Sequence, residues 1–164
     1  MAQNIYDDEA FFSGYSSLQR SVNGHDGAPE WPTLRGMLPD LGGCSVLDLG
    51  CGFGWFSRWA AANGAVEVIG IDLSERMLAR ARAEATTSAV TYQRHDLDLV
   101  ELEPAAFDLA YSSLTLHYLQ DLPVFLRKVH SRSTLARRRH PPPSVTLHSD
   151  PCRCQRRLAR SIVS

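Results

Sequence analysis

The run Val46-Leu47-Asp48-Leu49-Gly50-Cys51-Gly52-Phe53-Gly54 constrains the fold of this chain more than any other stretch, because eighteen residues after its last glycine a second apolar run ends in Asp72. The pattern reads as a strand, a turn without side chains, a helix, and a second strand tipped by a carboxylate. A short apolar run bounded by turn residues suits a strand covered on both faces of a parallel sheet. This is the layout of a pocket for an adenosine-containing cofactor.

Strands and helices alternate through the middle of the chain, which predicts an α/β fold: a Rossmann-like parallel sheet with helices on both faces. The expected strands are Ser45–Leu49 and residues 66–71, 90–93 and 107–111. Trp55–Ala62 is the helix after the turn, closed by Asn63-Gly64. Ser74 caps the next helix, on which Met77, Leu78, Ala81 and Ala85 form one apolar stripe with arginines opposite. Residues 96–104 make an acidic connection with room for a helical turn. Asp121 then caps a helix that starts near Pro123 and packs Val124, Phe125 and Val129.

Ahead of the glycine turn, residues 1–40 are expected to form a helical cap. Phe11, Phe12, Tyr15 and Leu18 recur at helical spacing behind Asp7 or Asp8, and a turn-rich gap, Asn23-Gly24-His25-Asp26-Gly27, leads to a second short helix over residues 31–38. These helices either cover an edge of the sheet or fold over the cofactor as a lid with Tyr15 pointing inward.

The turn carries the chemistry. A backbone that bends sharply after a strand and lets a ligand approach needs residues without a Cβ, which makes Gly50 and Gly52 contact positions and Gly54 a packing position. Asp72, at the tip of the next strand, is placed to accept both hydroxyls of a ribose, and its charge disfavours a 2′-phosphate there. Capping of the following helix does not require Asp72, because Ser74 already serves. The dinucleotide fingerprint G-x-G-x-x-G would put its third glycine at position 55, where this chain has Trp55. Asp48 would also set a negative charge beside a bound diphosphate, whereas it suits the cationic amino group of an amino acid. A sulfonium cofactor with a methionine moiety fits this acidic loop better than a dinucleotide does.

Residues 46–56 resemble motif I of the class I S-adenosylmethionine-dependent methyltransferases. Ile69-Gly70-Ile71-Asp72-Leu73-Ser74, followed by Met77-Leu78, resembles the second motif of the ubiquinone/menaquinone-methyltransferase-like, or type 11, subgroup. The likeness runs through most of residues 5–130. It implies that Gly50, Cys51 and Gly52 hold the methionine part, that Asp72 with Leu73 takes the ribose, and that Met77 lies near the adenine. It further implies that Asp96 meets the adenine amino group with Leu97 beside it, and that Ser112, Ser113 and Leu114 lie under the methionine moiety. Leu116-His117-Tyr118 matches a run facing the substrate cavity.

The expected cofactor is therefore S-adenosyl-L-methionine and the expected partner a small-molecule methyl acceptor. Methyl transfer asks only that a nucleophile be aligned with the S–CH3 bond and relieved of a proton where necessary. His117, just after the fourth strand, is the candidate base, with a packed structural histidine as the other reading. Tyr15 and Tyr118 are equally placed to shape the cavity. A run of Asn or Asp followed by Pro-Pro-Tyr is absent, which by resemblance speaks against an adenine-N6 DNA methyltransferase.

Charge divides the chain unevenly. Residues 1–130 hold 9 Lys and Arg against 17 Asp and Glu, while residues 131–164 hold 8 Arg, no Lys and only Asp150. The acidic front disfavours nucleic acid, and the basic tail has no aromatic residue on which bases could stack. No apolar run approaches the roughly 18 residues of a membrane span, and the N-terminus lacks a secretory pattern, so a cytoplasmic protein is expected. Cys152 and Cys154 have no partner pair at zinc-ligand spacing, and no metal is expected. Oligomeric state is not legible.

The three expected regions are the cap at 1–40, a cofactor-binding core at 41–130, and an Arg/Pro-rich, disordered or aberrant tail at 131–164. The resemblance implies an Ala-Leu-x-Pro-Gly-Gly segment and a fifth strand after residue 130. The tail instead reads Ser131-Arg132-Ser133-Thr134-Leu135-Ala136-Arg137-Arg138-Arg139, and codons that encode Arg132 to Ala136 also permit, one base out of register, Ala-Leu-Asn-Pro-Gly. A frameshift near Ser131 is the expectation, with the sheet cut short after its fourth strand and following helix. A non-catalytic remnant with weak or no cofactor binding is accordingly the alternative to an active methyltransferase, and a nicotinamide dehydrogenase the remote one.

Overall fold

Apolar residues at successive positions of one short strand need cover on both faces, and the architecture supplies it. The structure, a computed structural model, describes residues 4–103 and 107–133. Four parallel strands, β1 (Ser45–Leu49), β2 (Glu67–Asp72), β3 (Val90–Arg94) and β4 (Leu109–Ser112), form one sheet in the order β3-β2-β1-β4. β1 sits in the interior, with Val46 level with Val68 of β2 on one side and Leu109 of β4 on the other. Its side chains alternate between two cores: Val46 packs with Trp31, Leu34, Phe56 and Ala60, whereas Leu47 and Leu49 pack with Ile71, Phe125 and Val129. The fold is the α/β, Rossmann-like one expected, with helices over both faces.

The helices are α1 (Glu9–Ser16), α2 (Gln19–Asn23), α3 (Trp31–Met37), α4 (Trp55–Ala62), α5 (Glu75–Ala83) and α6 (Leu122–Arg132). Their starts follow local chemistry. Asp8 accepts from the Phe11 N–H, Ser74 from Met77 and Asp121 from Val124, each satisfying a donor that the first helical turn leaves open. On α5 the stripe Met77, Leu78 and Ala81 is buried, and Arg80 pairs outside it with Glu84 at 2.9 Å. Ala85, counted in that stripe from the sequence, lies beyond the helix end.

Other departures are small and have causes. Leu18 falls outside α1, because Ser17 closes that helix and Leu18 is the N-cap of α2. The fourth strand begins at Leu109, not Phe107, which instead makes an isolated parallel bridge to Ser133 just past α6. Val124 was expected inside but is 46% exposed, since α6 buries Phe125 and Val129 and turns Val124 outward. Most of the tail at 131–164, with the expected frameshift and the two cysteines in it, lies outside the described residues. Among the described residues, no helix is long and apolar enough to cross a membrane.

The strand order places the site. The chain leaves β1 toward β2 and β3, then crosses back to β4 on the other side of β1. That reversal opens a crevice at the carboxyl ends of β1 and β4, where ligands of open α/β sheets bind.

Candidate functional site

The turn after β1 is held from below. The N–H groups of Gly50 and Cys51 both donate to the Ile71 carbonyl, at 2.8 and 3.0 Å, and Gly54 N–H donates to the Cys51 carbonyl at 2.8 Å. Gly50, Gly52 and Gly54 all take positive φ, at 74°, 52° and 72°, a conformation that side chains resist. Their open sides differ. A Cβ on Gly50 would strike the Thr115 side chain, one on Gly54 would strike the Tyr92 hydroxyl, and one on Gly52 would meet nothing within 4 Å. The loop after β4 and strand β3 therefore close around the turn at its two ends, and the turn is open at Gly52.

Asp72 joins turn and strand tip. Its Oδ2 accepts from Gly52 N–H and its Oδ1 from Ser74 N–H, each at 2.9 Å. A carboxylate has about four acceptor sites, so accepting capacity remains for a ligand. Burial pushes the Asp72 carboxyl above its usual range, against the hydrogen bonds from Ser74 and Gly52 that lower it. Asp48 is 2% exposed, and its Oδ2 accepts from the Ser57 hydroxyl at 2.6 Å. Burial drives the Asp48 carboxyl up to about 7, and the charge of Asp72 adds to the rise. The buried Cys51 thiol is likewise pushed well up, which makes it a neutral packing group.

These groups open onto one cavity of about 500 Å³. Tyr15, Asp48, Gly50, Cys51, Gly52, Asp72, Leu73, Met77, Asp96, Leu97 and His117, all singled out from the sequence, line it. Ser112 does not line it: its hydroxyl donates to the Leu49 carbonyl at 2.9 Å and ties β4 to β1, while Ser113 and Leu114 reach the cavity. Asp96 accepts from Asp98 N–H at 3.0 Å. His117 is exposed, and its ring lies 4.0 Å from that of Tyr118.

The N-terminal helices contribute more than Tyr15. A short 3-10 turn, Ile5–Asp7, docks on the start of α5, where Asp7 accepts from the Ser74 hydroxyl at 2.5 Å and the Arg76 N–H at 3.1 Å. Phe53 at the glycine turn packs edge-on against Phe12 and Tyr15, and Arg80 covers its ring at 4.0 Å. Arg20 lines the cavity and pairs with Glu30 at 2.7 Å. His25 stacks on Trp31 at 3.7 Å, and burial lowers its imidazole to about 4. The Ser21 hydroxyl and the Trp55 indole N–H, on two cavity-lining residues, are buried with no hydrogen-bond partner among the described residues.

Arg20, Ser21 and Glu30 were not legible as site residues, because the turn-rich gap between Arg20 and Glu30 leaves their approach to tertiary folding, and Trp55 was read only as a break in the glycine fingerprint. One signal existed: Arg20 is the only Lys or Arg before Arg35 in a strongly acidic N-terminal stretch. Among the described residues, no group of three or more His, Cys, Asp and Glu side chains is arranged to hold a metal ion.

Known proteins share this architecture and sequence. Residues 46–133 match the family model described as a methyltransferase domain. An uncharacterized protein of Haemophilus influenzae is 34% identical over 135 residues, covering 79% of this chain and 53% of its own. The malonyl-[acyl-carrier protein] O-methyltransferase of Erwinia billingiae is 39% identical over 125 residues, covering 74% of this chain and 48% of its own. The crystal structure of an S-adenosylmethionine dependent methyltransferase from Mesorhizobium loti superposes with a TM-score of 0.66 at 57% identity, over 67% of this chain and 50% of that one. The chain spans about half the length of the curated relatives it matches.

Proposed function

Since the chain belongs to the methyltransferase-domain family, we propose that it binds S-adenosyl-L-methionine in this cavity and transfers the methyl group to a small-molecule nucleophile by direct in-line displacement, acting in the cytoplasm. The observation that carries the reading is the meeting of Gly52, Asp72 and Asp48 on one cavity at the strand-order reversal. The Erwinia billingiae and Mesorhizobium loti proteins are both named as methyltransferases, which agrees with it.

The residues fit the group. The free lone pairs of Asp72 suit ribose hydroxyls. Met77 and Leu97, both buried, offer apolar faces to a base, with Asp96 beside them as acceptor for its amino group. Asp48 is placed to take an ammonium. Arg20, with the orphaned Ser21 hydroxyl and Trp55 N–H, supplies donors for a carboxylate, and two buried donors without partners are costly unless a ligand meets them. The bound cofactor supplies a methyl already activated on a sulfonium.

The protein's task is then positioning and desolvation. The helices over residues 4–37 act as a lid, anchored through Asp7 to Ser74, that keeps water from the cavity. His117, on the rim, takes a proton from the acceptor on an imidazole nitrogen. Calorimetric titration tests the reading: S-adenosylmethionine binds saturably, NAD does not, and Asp72→Ala abolishes the binding. Comparable heats for NAD, or none for S-adenosylmethionine, refute it.

A further inference from the structure

One wall of the same cavity differs in character from the acidic glycine turn. Tyr6, Tyr15 and Tyr118 all line it. The Tyr6 ring stands perpendicular to Tyr15, with centroids 5.3 Å apart, and to Tyr118, with centroids 6.2 Å apart. The Tyr6 and Tyr118 hydroxyls are hydrogen-bonded at 3.0 Å, closing the N-terminal segment onto the loop after β4. Burial pushes the Tyr6 and Tyr15 hydroxyls up, helped at Tyr6 by its hydrogen bond to Tyr118 and opposed at Tyr15 by the charge of Arg20. All three rings border this space, and an aromatic π-face attracts a cation.

Charge around the cavity points the same way. Among the described lining residues, Glu30, Asp48, Asp72 and Asp96 are carboxylates, and Arg20 is the one guanidinium or ammonium group. Arg20 already pairs with Glu30 at 2.7 Å. With Arg20 engaged by the carboxylate of the methionine part, none of these residues offers a positive charge to an acceptor's carboxylate or phosphate. An anion buried without a counter-charge is disfavoured, whereas a cation gains from the rings and the acidic surround.

Building on the methyltransferase reading, we propose that the wall of Tyr6, Tyr15 and Tyr118 is the acceptor subsite and that the acceptor is a small amine bound as its ammonium. The ammonium gives one proton to an imidazole nitrogen of His117. The freed nitrogen lone pair forms the new N–C bond as the S–C bond breaks, and sulfur keeps the pair of that bond. Positive charge passes from sulfur to the methylated nitrogen, so the tyrosines face a cation both before and after transfer.

Three probes of matched size test this on the full chain with saturating S-adenosylhomocysteine: phenyltrimethylammonium, the neutral acetophenone, and benzoate, each titrated calorimetrically. Phenyltrimethylammonium should bind about tenfold tighter than either of the others, a ratio within the range of one desolvated cation–π contact. Tyr6→Leu and Tyr118→Leu should each lose that preference while still binding S-adenosylhomocysteine, which shows that they are folded. Benzoate or acetophenone binding as tightly, no probe binding while S-adenosylhomocysteine does, or a preference untouched by both variants overturns the proposal. No binding of S-adenosylhomocysteine at all is a different result: it removes the cofactor reading and this inference with it.

Discussion

Replacing Asp48 by asparagine should stabilise the protein and disable its site, to an extent that depends on pH. Asp48 is 2% exposed, and among the described residues the one side chain that donates to it is the neutral Ser57 hydroxyl, so burial raises its carboxyl from 3.8 to about 7. A carboxyl whose folded pKa lies above its unfolded value favours the folded state most at pH below the unfolded pKa. That favour is lost progressively as pH rises through the folded value. At pH 5 the folded protein holds Asp48 as the neutral acid, which asparagine mimics, its Oδ1 still accepting from Ser57. By pH 8 the wild type has ionised a desolvated carboxyl and the variant has not. The additional penalty over that interval is about 3 kcal/mol at 1.4 kcal/mol per pH unit up to the folded pKa, or on the order of 10 °C in Tm.

Thermal unfolding of both proteins at pH 5 and pH 8, without ligand, measures it. The Tm advantage of Asp48→Asn should be small at pH 5 and large at pH 8, while its affinity for S-adenosylmethionine falls at least about tenfold through loss of a charge-assisted contact. In the wild type that affinity should itself fall about tenfold per pH unit below 7, as the acceptor for the ligand's ammonium becomes protonated. An advantage equal at both pH values, or negative at pH 8, would show that Asp48 stays ionised with a compensating partner and would refute the reasoning.

Gly50→Ala should destabilise by at least about 2 kcal/mol in urea unfolding, because its φ of 74° is joined by a collision with Thr115; Gly52→Ala, at φ 52° with open space, should cost about 1 kcal/mol, and equal costs would count against the contact. Leu114 is 37% exposed with φ of 58°, so Leu114→Gly should raise stability by about 1 kcal/mol; a loss would mean that its side chain packs more than its exposure indicates. His25 stays neutral in the fold down to about pH 4, against 6.5 unfolded, so its contribution is full above 6.5 and lost as pH falls through 4. Between pH 7 and pH 4, the wild type should therefore lose more stability than His25→Phe; parallel declines of the denaturation midpoints would contradict this.

The short range of the forces separates what could be read in advance from what could not. β1 and α4 were legible to the residue because their signals are local: an apolar run stopped by a glycine, and a helix closed by Asn63-Gly64. Ser74 and Asp121 were legible as caps for the same reason, and the first cap as Asp7 or Asp8, of which the structure uses Asp8; each bonds an N–H three residues on. Asp72 could be placed at a strand tip because strand length and apolar run coincide.

By itself, then, the sequence determined the alternation of elements, the caps, and the glycine turn with its following carboxylate. Tertiary structure alone decided that Arg20 meets Glu30 across a turn-rich gap, that Thr115 fills the space beside Gly50, and that Tyr6 reaches Tyr118 over 112 positions of chain. It also decided that Val124 faces outward and that Ser112 bonds to β1 instead of lining the cavity. The contacts of Thr115, Tyr118 and Ser112 depend on how the crossover from β3 to β4 sets one surface against another, a distance no pattern within a dozen residues encodes, while the Arg20–Glu30 pair depends on how the turn-rich gap between them folds back.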